Sequence, residues 1–436
     1  MSTAELSVVP ASGPSEVHSV HFQFQGGQAI KLVDPTTNQP NPHQPVTIGT
    51  TPEWVRGARS ELAAYVQGTR PDMRVVFRGT PADNGTYIVG ADGTPFQVEE
   101  RSVTLAFDPA TRLSAPEVFR ARNSLPDQIG VHMAKLDWYV RLQPAPSHGT
   151  PLGTSMHTVA TSWRAFVPPA AGEDGLPDWV YAPLMRWTCE WATGQDGELA
   201  ICDAIIKNLP KSGLRYGVWG VRDVREMLLQ QNKGAMCGVW YQAFQQMVHC
   251  QGIFVYRRHF EVDLRPMPGG EEHWCAIVIC NGGLNQPVPT HGPADFNDNH
   301  SGFPIPAGTT VPLVTVNEPR YRFWCIPQYH YDGHCINFLV YGGSMYLFDA
   351  CFGLGPIRVN APLPPNNLNV AQGGADLSPL RAAYLDSAID YMLGTIRNGQ
   401  QLLVARYPNL NGMTVPTADI PEVVNGNPGL TFRWGN

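Results

Sequence analysis

A chain of 436 residues exceeds what one hydrophobic core usually serves, so two domains are expected. Its make-up, 43% apolar, 10% aromatic and only 15% charged, is that of a folded protein, and 43 Gly with 40 Pro favour turns and short strands over long exposed helices. A net charge of −7, with acids and bases interspersed, leaves no basic footprint for nucleic acid or an anionic membrane.

Met1 to Pro14 has neither a positive start nor an apolar core; it reads as a flexible N-terminus (1–14) and not as a secretory signal. No run reaches the roughly 18 apolar residues of a membrane span. The nine cysteines are odd in number and show no Cys-x-x-Cys spacing, which reads as buried reduced thiols. Cys275 and Cys280 could still bridge or bind metal. The expected location is cytoplasmic, with export by a route that needs no classical signal left open.

The first elements alternate apolar and polar residues as strands do: Val20–Phe24, Arg74–Phe77 and Ser102–Phe107, separated by turn signals such as Asp83-Asn84-Gly85 and Ala91-Asp92-Gly93. Lys135–Leu142 and His157–Val167 continue the series. Short strands at this spacing predict an immunoglobulin-like β-sandwich over residues 15–170. It could also engage a protein partner. Pro168–Pro177 is the expected linker.

Beyond Leu184 the period changes. Glu198–Leu209 carries Leu199, Cys202, Ile205, Ile206 and Leu209 at helical steps. Val221–Gln230 and Met236–Cys250 read as two further helices. Ile253–Leu264 reads as a strand, and residues 265–320 as a Gly/Pro/Asn-rich insertion with an apolar core at Trp274–Cys280. Arg322–Ile326, His334–Tyr341 and Met345–Phe348 are strands, Ser378–Leu393 a helix, and 401–436 a tail. Asp295–Asn299 superficially suggests a calcium loop, but it lacks the Gly and the closing Glu and reads as a solvated turn.

Chemistry concentrates on two elements. The helix opening at Gly234-Ala235-Met236-Cys237 buries a stripe of Cys237, Trp240, Tyr241, Phe244, Met247 and Val248. Cys237 sits in its first turn, where unpaired N–H groups and the helix dipole favour a thiolate. A packed structural thiol fits this helix alone equally well.

The strand His334–Tyr341, the loop Gly342-Gly343 and the strand Ser344–Asp349 shift that balance. A two-residue Gly-Gly loop pairs Tyr341 with Ser344. Asp349 then falls opposite Ile336, making it the diagonal neighbour of His334 on one face. A carboxylate beside an imidazole fixes the ring's tautomer and supports an imidazolium–thiolate pair. The similar stretch His273–Gly283 serves as a control. The same rule pairs Asn281 with Leu284 and leaves His273 opposite Gly292, with no acid nearby.

These residues carry a resemblance. Tyr216, Val221, Val224–Leu228, Lys233–Tyr241 and Gln251-Gly252-Ile253 are similar to the nucleophile block of the transglutaminase-like superfamily of papain-like Cys-His-Asp enzymes. His334–Gly343 with Tyr346–Asp349 resembles that family's His and Asp strands. The likeness covers roughly residues 198–355. Three features depart from the family: Met236 precedes the Cys, Ala350-Cys351 follows the Asp where members often have Pro-Thr, and 97 residues separate Cys237 from His334.

The resemblance implies an α+β chain whose β-sandwich precedes a papain/transglutaminase-like catalytic domain at 171–400. It implies acyl transfer to and from Cys237, with His334 relaying the proton and Asp349 orienting the ring. The oxyanion would rest on the Cys237 N–H and a second donor, Trp219 or Gln230. Trp240, Tyr216 and His273 are the expected substrate-facing residues. The chemistry needs no cofactor or metal. Water as acceptor makes a protease or amidase, the favoured form on a protein or peptide substrate. A lysine amine makes a cross-linking transglutaminase, and a binding protein that keeps the fold without activity is the third possibility.

Overall fold

Alternation builds the first half of the chain. Between Asp72 and Arg78, Met73, Val75 and Phe77 are fully buried while Arg74 and Arg78 point to solvent. Between Gly130 and Leu142 the same rule buries Ala134, Leu136, Trp138 and Val140. The computed structural model describes residues 13–22, 30, 32–36, 54–142, 149–167, 179–230, 234–235, 237–264, 273–279, 321–326, 333–351, 353–359, 389–395, 405–406, 414–415 and 430–435. The chain is α+β, strand-rich with several sheets, and divides into two compact units, 1–195 with 250–252, and 196–249 with 253–436.

The first unit holds β1 (Glu16–Phe22), β2 (Leu32–Val33), β3 (Trp54–Val55), β4 (Arg59–Ser60), β5 (Leu62–Val66), β6 (Asp72–Arg78), β7 (Gly85–Thr94), β8 (Val98–Leu105), β9 (Glu117–Arg120), β10 (Gly130–Leu142), β11 (Thr150–Ser162), β12 (Val180–Tyr181) and α1 (Ala182–Trp191). Two five-stranded sheets, β4-β3-β1-β6-β9 and β5-β11-β10-β7-β8, supply one shared core. Phe77 and Phe119 of one sheet meet Trp138 of the other edge-on, at 6.4 and 5.7 Å between ring centres. The Trp138 indole N–H donates to Ser155 Oγ, which lies 2.7 Å from His157 Nε2, so these three buried side chains are linked inside the sandwich.

Helix α1 packs on β10 and β11. It has no side-chain N-cap; the mark its start leaves in the sequence is Pro183 in the first turn. The turn 250–252 belongs with this unit: Gln251 Oε1 accepts from the Trp163 N–H at 2.9 Å. The linker expected at Pro168–Pro177 lies outside the described residues.

The second unit holds α2 (Glu198–Asn208), β13 (Arg215–Val221), α3 (Val224–Leu229), β14 (Gly234–Ala235), α4 (Cys237–His249), β15 (Tyr256–Leu264), β16 (His273–Ile279), β17 (Tyr321–Ile326), β18 (Gly333–Tyr341), β19 (Ser344–Asp349), β20 (Leu354–Val359), β21 (Ile389–Thr395), β22 (Ala405–Arg406), β23 (Thr414–Val415) and β24 (Leu430–Gly435). A six-stranded sheet runs β20-β19-β18-β15-β24-β23 and a four-stranded one β17-β16-β21-β22. α4 packs on β18 and α2 on β20, and the two helices touch each other.

Three expectations need correction. The helix expected at Ser378–Leu393 gives way, in its described part, to the strand β21, because Ile389, Tyr391 and Leu393 alternate and Ile277 and Cys275 of β16 pair with the last two. The helix expected from Val221 starts at Val224: Asp223 caps it by accepting from the Glu226 N–H at 2.7 Å, and Val221 ends a strand. The register expected for His273 is also different: β16 pairs with β17 and β21 and Thr395 lies opposite His273, while the expected partners Leu284–Gly292 lie outside the described residues. The calcium-like stretch 295–299 and most of the 265–320 insertion lie outside the described residues.

Candidate active site

The approach to α4 is a short parallel ladder: Arg215 pairs with Gly234, and Tyr216 and Val221 with Ala235. Two residues later Cys237 opens a 13-residue helix, half-buried. The first-turn N–H groups of a helix have no intrahelical acceptor, and the dipole there favours negative charge. The helix is anchored along its length. Trp240, Phe244, Met247 and Val248 are buried, and Gln245 Nε2 donates to the Val255 carbonyl at 3.1 Å. Phe244 lies 5.4 Å from Phe348 of β19 between ring centres.

The hairpin under the helix has the register that its loop dictates. Tyr341 pairs with Ser344, Leu339 with Tyr346 and Asn337 with Phe348. Gly342 and Gly343 both have positive φ, 58° and 76°, as a type I′ turn requires. Continued one step, the ladder brings Asp349 opposite Ile336, two residues along β18 from position 334. That position pairs with Phe260 of β15.

Asp349 is only 1% exposed. Strict alternation would set it on the face away from Phe348 and so away from α4. Pairing of β19 with β20 slips between Leu347 and Asp349, where two residues of β19 stand against three of β20, so the bulge lies on β20. Gly355 makes the slip possible: at φ 132°, a Cβ there would stand 2.7 Å from the Leu347 carbonyl oxygen. Past the bulge the Cys351 N–H donates to Asp349 Oδ1 at 3.0 Å.

Burial pushes the Cys351 thiol well above the ordinary cysteine value, and the neighbouring Asp349 charge pushes it further. Three other described thiols are sealed: Cys189, in the first unit, is fully buried and pushed up to about 12 by burial, and burial raises Cys202 and Cys250 as well.

Cys237 opens the helix that packs on β18, Asp349 ends the strand paired with β18, and position 334 lies on β18 itself. Trp219 lies within β13, and Tyr216 on the same strand beside Ala235. Gln230 caps the C-terminus of α3, its N–H on the Glu226 carbonyl. Trp240, three residues after Cys237, is 3% exposed with a buried indole N–H that has no acceptor. His273 does not join this group: it lies on the four-stranded sheet. Among the described residues no set of three His, Cys, Asp or Glu is arranged to hold a metal ion, and no helix is long and apolar enough to cross a membrane.

Comparison with known proteins adds no name: no protein-family model matches the chain, and no curated protein matches it. Cys351, whose N–H donates to Asp349, entered the sequence reading only as a departure from the family pattern.

Proposed function

We propose that the second unit is a transglutaminase-like cysteine enzyme acting by acyl transfer, with an immunoglobulin-like sandwich ahead of it. What supports the reading is a cysteine at the start of a helix packed on β18, together with a buried carboxylate ending the hairpin that β18 forms with β19, whose register continued one step sets position 349 diagonal to position 334. Three residue types with complementary roles then lie on adjoining elements.

The chemistry follows from those roles. Cys237, as thiolate at the helix N-terminus, attacks an amide carbonyl, and the leaving amine takes its proton from the His334 imidazolium. Asp349 holds the ring in its tautomer; one of its oxygens serves the Cys351 N–H, and a carboxylate has further lone pairs for a second donor. The oxyanion rests on the Cys237 N–H and on a second donor, for which Trp219 in β13 and Gln230 at the end of α3 are the candidates. Water releasing the thioester completes hydrolysis of a peptide or amide, the form favoured for this chain.

Incubating the protein with casein and a fluorescent primary amine tests this. Cleavage without label, abolished by Cys237→Ala, supports hydrolysis. Label on casein supports cross-linking instead. Neither product, together with a partner retained equally by wild type and Cys237→Ala, points to a binding protein without catalysis.

A further inference from the structure

The first unit, which holds none of the proposed triad, has a cavity of about 330 Å³ walled by the turn 66–69, by Arg70 and by Arg120. The turn is held by its own backbone. The Thr69 N–H donates to the Val66 carbonyl, and the Gln67 and Gly68 N–H groups donate to the carbonyls of Ser162 and Pro126. With those three amides engaged, the donors left for a ligand come from side chains.

Both guanidinium groups are fixed before any ligand arrives. Arg70 donates from Nε to the Ala121 carbonyl at 3.3 Å, and from Nη2 to the Arg122 carbonyl at 2.7 Å and to Glu99 Oε1 at 2.6 Å. Arg120 lies opposite Asp72 in the ladder between β6 and β9 and grips its carboxylate with Nε at 2.8 Å and Nη2 at 3.1 Å. Each guanidinium carries five N–H groups in a rigid fork. Arg70 uses three of them and Arg120 two, so two and three remain without an acceptor among the described residues. Spare donors on two rigid forks around one small cavity suit a group with several oxygens and more than one negative charge. A phosphate group has three terminal oxygens where a carboxylate has two. The cavity is at the small end of ligand sites and leaves room for the alcohol or side chain that carries the phosphate.

We propose that the cavity between Arg70 and Arg120 is a binding site for the phosphate group of a phosphomonoester. The same chemistry is offered by a phosphorylated side chain of a protein partner and by a small phosphorylated alcohol. Each guanidinium already faces a carboxylate, so fixed geometry contributes more than net charge, and the dissociation constant expected for the phosphate group alone is about 1 mM. The site stands apart from the acyl-transfer reading of the second unit and does not depend on it.

The test uses the full chain at fixed ionic strength. Glycerol 3-phosphate and a short phosphoserine peptide are titrated in by calorimetry, with the unphosphorylated peptide as control. The expected result is saturable binding of the phosphorylated probes alone. For the phosphopeptide it should tighten about tenfold between about pH 5 and 7, as its phosphate becomes a dianion. A peptide bound more tightly than glycerol 3-phosphate supports the site with a phosphoprotein as its source, and equal affinity supports it with a small phosphomonoester. Arg70→Gln and Arg120→Gln should each weaken binding about tenfold or more. Because Arg120 also holds Asp72, Arg120→Lys is the second variant: it keeps a cation for Asp72 but loses the fork, and should bind about threefold or more weakly than wild type. No saturable binding of either probe up to about 20 mM overturns the proposal. So do affinities unchanged in Arg70→Gln and Arg120→Lys, which would leave both arginines with their structural bonds only.

Discussion

Asp349 has two duties at the candidate site, and a pair of substitutions separates them. Asp349→Asn keeps an oxygen for the Cys351 N–H but removes the charge, whereas Asp349→Ala removes both. In the proposed triad the carboxylate steadies the imidazole, so Asp349→Asn should lower turnover in whichever casein assay is positive by about 10²- to 10⁴-fold while leaving the urea midpoint nearly unchanged. Asp349→Ala should lose the activity and a further ~1 kcal/mol of stability, read from the same urea curves. Equal stability losses in the two variants would show that the hydrogen bond to Cys351 contributes nothing. In the sandwich, His157 provides a pH signature. Burial lowers it from its ordinary 6.5 to about 3. As pH falls through 6.5 the unfolded chain takes up a proton that the folded core refuses until about pH 3. The stability it supports is complete above 6.5 and drains away between 6.5 and 3, by up to ~1.4 kcal/mol per pH unit. Urea titrations of the first unit's unfolding on either side of that range should show the slope, and His157→Leu should flatten it.

Two elements position the chemistry, and each was legible to a different degree. The hairpin was fully legible: Gly342-Gly343 is a local signal, and local turn chemistry fixes register without help from the rest of the fold. The bulge beside Asp349 was not, because it depends on how β20 returns past Leu347, a contact made by residues several positions away. Gly355→Ala places a methyl against the Leu347 carbonyl in a backbone conformation that alanine resists, and should lower stability by roughly 1–3 kcal/mol. If Gly355→Ala unfolds at the wild-type urea concentration, the bulge is not held by that contact. The helix α4 announced itself through its apolar stripe, and its packing through Phe244 on Phe348 should cost about 3–5 kcal/mol in Phe244→Ala by thermal or urea unfolding. The short helix α3 was expected too long because Val221 continues its apolar period; the Asp223–Glu226 cap, visible in the sequence, was the better guide to its start.

At the scale of the molecule, local pattern recovered the α+β character, the strand-rich first unit and the helices α2 and α4. It failed where tertiary pairing decides. Ile389–Leu393 reads as helix by composition but is a strand paired along β16, and Thr395 of that strand lies opposite His273. The candidate site was legible as residue types and register, since both are local. The packing of α4 on β18 was not, because it joins elements about 100 residues apart along the chain. What unites these elements chemically is a single property, the ionisation of the sulfur at position 237. The most direct test is the rate of iodoacetamide alkylation at each cysteine, resolved peptide by peptide, between about pH 5 and 9. Cys237 should react about tenfold or more faster than Cys335 at neutral pH, on a profile that levels off well below the ordinary thiol value of about 8.5, with Cys189, Cys202 and Cys250 nearly inert. A Cys237 rate no greater than that of Cys335, still climbing through 8.5, would contradict the account.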